Sequence, residues 1–168
     1  MPTNIKVLGV GNILLSDEGV GVKAVWELKN NYKFFPEISL VDGGTGGIFL
    51  LSEFEGVEKL IIVDAISGGN PPGTIYNFSF KEIPKKIIKK LSLHDIGLEE
   101  ILALAELKNC LPKEIRIIGI EPAVIEWGDS LSDIIKTKFP LFIKEILLQL
   151  EKWGIKAVAI KTIQTQEF

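Results

Sequence analysis

Short runs rich in Ile and Val punctuate the chain at Ile5–Val10, Ile38–Val41, Leu60–Val63, Thr74–Phe80 and Ile115–Ile120. Longer segments with apolar residues at helical spacing separate them. Continuously apolar strands are those covered on both faces, so the alternation predicts βα units around a mostly parallel sheet. Thr74–Phe80 alternates apolar and polar positions instead, which predicts an antiparallel edge strand. Ile155–Ile160 is a candidate for a short sixth strand. The expected fold class is α/β, a three-layer α/β/α arrangement in which helices sandwich a twisted sheet of about five strands.

The helical segments carry their own punctuation. Gly19–Lys29 places Val22, Val25, Trp26 and Leu28 on one side, and Ile48–Phe54 reads as a second, shorter helix; each follows a glycine-rich turn. Asp95–Leu107 brings Ile96, Leu98, Ile101, Leu102 and Leu104 to helical spacing. Ser130 is predicted to N-cap a helix with Asp133 in its first turn, Pro140 to kink or split it, and Gly154 to end it beyond Trp153. The tail Lys161–Phe168 lacks periodicity and is expected to fray.

Length and composition narrow the class. At 168 residues the chain is expected to form one domain over 1–168. It contains no apolar stretch of the roughly 18 residues that a membrane helix needs, and its start lacks the pattern of a secretory signal. A soluble, cytoplasmic protein is the expectation. The formal charge of -3 argues against a nucleic-acid surface, and the lysines of Lys81–Lys90 alternate with Ile83, Ile87 and Ile88 like the solvated face of a short helix. Cys110 is the only cysteine, which excludes an intramolecular disulfide or a cysteine-built metal site; beside Leu111 and Pro112 it reads as a buried structural thiol.

Chemistry concentrates in the turns after the predicted strands. Gly9-Val10-Gly11-Asn12-Ile13-Leu14-Leu15-Ser16-Asp17-Glu18-Gly19 runs from a strand into a helix, but a dinucleotide fingerprint would place glycine where Leu14 stands. Asp17 and Glu18 would also repel a phosphate, so the loop suits the presentation of carboxylates; Asp17 is alternatively a helix cap. Asp64 ends an apolar strand, where open α/β sheets bind ligands. His94, the only histidine, stands at a polar helix entry. Glu18, Asp64 and His94 together offer two oxygens and one nitrogen, a mixed set able to hold nickel, zinc or a similar divalent ion with positions left open. Asp42-Gly43-Gly44-Thr45-Gly46-Gly47 adds another carboxylate at a strand end, with backbone amides able to pair with an extended peptide.

These segments, together with Ile62-Val63-Asp64-Ala65, Leu93-His94-Asp95-Ile96-Gly97-Leu98 and Gly119-Ile120-Glu121-Pro122, resemble the hydrogenase maturation endopeptidases in order and spacing. The resemblance covers about residues 5 to 155 and is far more specific than a lone Gly-x-Gly. It implies an endopeptidase that recognises nickel inserted in the large-subunit precursor of a nickel–iron hydrogenase and cleaves its C-terminal extension. Glu18, Asp64 and His94 would contact the metal, which the substrate carries; zinc or cadmium would also fit such a site. Hydrolysis would be metal-assisted or of the aspartic type, with Asp42 a candidate proton-transfer group. The precursor is the expected partner, nucleic acid and membrane are not, and a monomer is expected. A non-catalytic chaperone of the precursor and a dinucleotide-binding oxidoreductase are the alternatives.

Overall fold

The computed structural model describes residues 4–82, 84 and 98–160. His94, most of the Lys81–Lys90 run, the predicted helix start at Asp95–Gly97 and the tail Lys161–Phe168 lie outside the described residues.

In chain order the described elements are β1 (Ile5–Val10), α1 (Val20–Asn31), β2 (Tyr32–Phe35), β3 (Ser39–Gly44), β4 (Lys59–Ala65), β5 (Ile75–Ser79), α2 (Leu98–Leu107), β6 (Glu114–Ile120), α3 (Asp133–Lys152) and β7 (Lys156–Ala159). Short 3-10 turns occupy Ser16–Gly19, Gly47–Phe54 and Phe80–Glu82. The main sheet has the order β3-β1-β4-β6-β5. All neighbouring pairs are parallel except β5 with β6, which is antiparallel as the alternation in Thr74–Phe80 predicts.

Both faces of this sheet are buried, which explains the continuously apolar runs. Ile5 and Val7 of β1, Ile61 and Val63 of β4, and Ile118 and Ile120 of β6 join one core with α1 and α3. Leu8, Val10, Leu60, Ile62, Ile115 and Ile117 point the other way, into a core shared with α2 and the Gly47–Phe54 turn. Three layers result. A Cβ on Gly21 would lie 2.2 Å from the carbonyl oxygen of Val63, and one on Gly9 would lie 2.4 Å from that of Gly21. Only glycine lets α1 rest this closely on the sheet.

From β1 the chain passes through α1 to β3 on one side, then crosses back to β4 on the other. The order therefore reverses at β1, and the crevice beyond the carboxyl ends of β1 and β4 is a topological switch point.

Several expectations need correction. The candidate sixth strand does form, as β7; what the pattern does not predict is its partner β2, with which it pairs antiparallel outside the main sheet, an element too short and too close to α1 to stand out. The glycine-rich segment after the second strand is partly strand, since β3 continues through Asp42, Gly43 and Gly44 beside β1, with a register shift at Gly9/Val10. Ile48–Phe54 winds as the tighter 3-10 form. Trp26 is partly exposed instead of joining the core face of α1, because its indole N–H reaches the carboxylate of Asp42. The cap of α3 is Ser132, two residues after Ser130. Pro140 does not split that helix: it and Lys136, whose carbonyl loses its helical donor, are exposed, so water can supply the missing bond. Gly154 does follow the helix end in the left-handed region, at φ 84°. Cys110 is half-buried against the core.

Candidate active site

Two carboxylates lie buried at the switch point. Glu18 sits in the Ser16–Gly19 turn, buried, and Asp64 sits in β4, fully buried. That turn packs against β4, so the two acids belong to adjoining elements at one end of the sheet. Gly11 makes the placement possible: it adopts φ 136°, and a Cβ there would lie 2.0 Å from the carbonyl oxygen of Glu18. Asp64 accepts the backbone N–H of Ala65 at 2.8 Å through Oδ1. Two oxygen donors on adjoining elements fit a divalent cation. Among the described residues no three His, Cys, Asp or Glu side chains converge; the predicted third ligand, His94, lies outside them.

Asp17, the neighbour of Glu18, does different work. Its carboxylate is fully buried and accepts the N–H groups of Ala123 and Val124 and the hydroxyl of Ser132 on Oδ2, at 2.9, 2.8 and 2.7 Å, and the Ser132 N–H on Oδ1 at 2.7 Å. It does not cap α1. It ties the turn holding Glu18 to the loop between β6 and α3, and three further bonds reinforce the junction: Ser16 N–H to the Gly128 carbonyl, Gly128 N–H to that of Leu14, and Asp17 N–H to that of Val124. Backbone donors satisfied by a carboxylate are among the stronger hydrogen bonds available to a loop.

Glu121 plays the matching part on the other side of Asp64. Buried at the end of β6, it accepts the N–H of Gly68 at 2.7 Å, the N–H of Gly69 at 3.1 Å and the hydroxyl of Tyr76 at 2.7 Å. The connection after β4 is thereby held in place. Burial, and the Glu121 carboxylate to which it donates, raise the Tyr76 phenol above its ordinary pKa of 10.0. Glu121 follows an apolar strand just as Asp64 ends one, so the local sequence does not tell the two roles apart.

Asp42, the candidate proton-transfer group, is exposed on β3. It accepts the Trp26 indole N–H at 3.0 Å on Oδ2 and the Gly44 N–H at 3.0 Å on Oδ1. It also lines a cleft of about 310 Å³ with Gly11, Asn12, Ile13, Leu14, Val22, Gly44 and Thr45. This cleft opens beside the loop that leads to Glu18. At the entrance of α1, where a pyrophosphate would have to lie, stand Asp17 and Glu18, so the geometry does not support a dinucleotide site.

The model of the hydrogenase maturation protease family matches residues 22–149. The chain belongs to this family. The matched range includes Asp42, Asp64 and His94. Among curated relatives, the hydrogenase expression/formation protein HoxM of Cupriavidus necator is 37% identical over 152 residues, 89% of this chain and 75% of the relative. The hydrogenase 2 maturation protease of Escherichia coli is 34% identical over 160 residues, 95% of this chain and 98% of the relative. In fold the chain is similar to the hydrogenase maturating endopeptidase HybD from E. coli, with a TM-score of 0.85 and 33% identity over 94% of this chain and 98% of that one. A hydrogenase maturation protease from Thermococcus kodakarensis superposes with a TM-score of 0.66 and 28% identity, over 88% of this chain and 99% of that one. As a member of this family the chain is a hydrolase of the endopeptidase type, and no described helix is long and apolar enough to cross a membrane.

Proposed function

We propose that this endopeptidase cleaves the C-terminal extension from the nickel-loaded large-subunit precursor of a nickel–iron hydrogenase, with Glu18, Asp64 and His94 contacting the substrate's nickel. The observation that carries this reading is the burial of Glu18 and Asp64 on adjoining elements at the switch point of the sheet. Carboxylates held there, each beside a second acid that braces the local loop, are prepared to meet a cation before it arrives. Nickel supplies a recognition handle and Lewis acidity toward the scissile carbonyl or a water. Two carboxylates and one imidazole leave coordination positions to the substrate's own ligands, which suits a contact that must be released after cleavage. Asp42, on the wall of the neighbouring cleft, is positioned to exchange a proton with a peptide lying in it.

The test is to incubate the protein with nickel-loaded and nickel-free precursor and follow the precursor's mass. Loss of the C-terminal segment from the loaded form alone is the expected result. Equal cleavage of both forms would remove nickel recognition, and an unchanged mass despite binding would mark a chaperone.

A further inference from the structure

Two of the three most exposed large apolar side chains among the described residues, Phe49 and Trp127, each 82% exposed, stand on segments that follow the carboxyl ends of β3 and β6, Phe49 in the 3-10 turn Gly47–Phe54 and Trp127 in the loop before α3. Leu14 and Ile125 are exposed on the same side, and Leu14 also lines the cleft beside Asp42. We infer that these side chains form an apolar collar around the Glu18 and Asp64 crevice and dock the folded body of the large-subunit precursor around its metal centre. The inference rests on the function proposed above and adds to it the surface that supplies affinity.

Three observations favour this occupant. The collar is continuous with the candidate metal contacts: the segment bearing Ile125 and Trp127 is bonded to the turn bearing Glu18 through Leu14, Ser16 and Asp17. The backbone under Trp127 is therefore fixed although it belongs to no helix or strand, so little ordering entropy remains to be lost on binding. Finally, a carboxylate contact to a cation strengthens when surrounding apolar groups exclude water, so a dry rim would make a modest ligand set selective. A free peptide would need only the cleft; aromatic side chains on two separate segments suit a broader surface facing them.

The test compares kcat and KM for nickel-loaded precursor with the wild-type chain, Trp127→Ala, Phe49→Ala and Leu107→Ala. Leu107 is 81% exposed but ends α2, away from the collar, and serves as the control. Each collar variant should raise KM by about tenfold or more with kcat within about twofold, and Leu107→Ala should match the wild type. All four proteins should melt alike, because exposed side chains contribute little to packing. KM values within about twofold of wild type for both collar variants would overturn the inference. A wild-type chain that binds the precursor without cutting it would overturn the endopeptidase reading instead. Dissociation constants would then decide the collar by the same tenfold criterion of about 1.4 kcal/mol. No binding at all would overturn both.

Discussion

The buried carboxylate of Asp17 accepts the backbone N–H of Ser132 at 2.7 Å across 115 residues of chain. One side chain thus joins the loop after β1 to the start of α3, and Glu18 is the next residue along. Asp17→Asn keeps the shape but turns an NH2 group toward at least one of the three N–H donors that now face an oxygen. The loss of stability should be about 3 kcal/mol, the cost of leaving buried donors unpaired. Calorimetric melting should show a Tm lower by roughly 6 to 12 °C; a shift under about 2 °C would mean the loop is held by other contacts.

Gly21 is the point of closest approach between α1 and the sheet. A Cβ there meets the Val63 carbonyl oxygen at 2.2 Å and the Val10 carbonyl oxygen at 2.6 Å, and both are backbone atoms that cannot rotate away. Gly21→Ala should therefore push α1 off β1 and β4 and cost roughly 3 kcal/mol, although alanine favours helices. Urea unfolding measures this, and a stability equal to wild type would show that the helix can slide without loss.

The Tyr76 hydroxyl gives an alkaline signature. Its folded pKa lies above the ordinary value of 10.0 because burial and the adjacent Glu121 disfavour the phenolate. The contribution to stability is full below pH 10.0, and it is lost as pH rises from that value through the folded pKa. The unfolding free energy of the wild type should fall across this window. In Tyr76→Phe that part of the decline should vanish, with about 1 kcal/mol lost at neutral pH from the missing hydrogen bond. Parallel curves for the two proteins above pH 10 would contradict the assignment.

Much of this fold was legible because burial on two faces writes itself into sequence: β4 reads as an apolar run, β1 and β6 as apolar runs interrupted by Lys6 and Arg116, and β5 as an alternating one. The remaining features depend on contacts between residues distant in the chain. The pairing of β2 with β7 joins Tyr32–Phe35 to Lys156–Ala159, and neither segment announces its partner. The local pattern does not separate Ser130 from Ser132; Ser132 takes the N-cap position of α3, and its hydroxyl donates to Asp17 instead of capping the helix. Glu18 was legible as an acid in a strand-to-helix loop and Asp64 as one ending a strand, and the elements that carry them adjoin. Asp17 and Glu121 carry no local mark that separates a brace from a ligand, since the donors they satisfy come from loops placed by the whole fold. The tight fit of α1 on the sheet was only partly visible, as glycines at positions 9 and 21: Gly9 meets the Gly21 carbonyl of α1, and Gly21 meets the Val63 carbonyl of β4.

Asp42 and the proposed metal contacts should differ in kinetic signature. Asp64→Asn or His94→Ala removes a contact to the substrate's nickel, so each should lower kcat/KM by at least about 100-fold and reduce the preference for nickel-loaded precursor. Asp42→Asn should preserve that preference, because Asp42 lies on the cleft wall and its proposed part is proton transfer. It should lower kcat by about 100-fold or more at nearly constant KM. Its structural cost should stay small, since the Asn side-chain oxygen can still accept the Gly44 N–H and only the exposed contact with the Trp26 indole is lost. Full activity in Asp42→Asn, with unchanged melting, would confine Asp42 to bracing the end of β3 and assign proton transfer to water or to one of the other two acids.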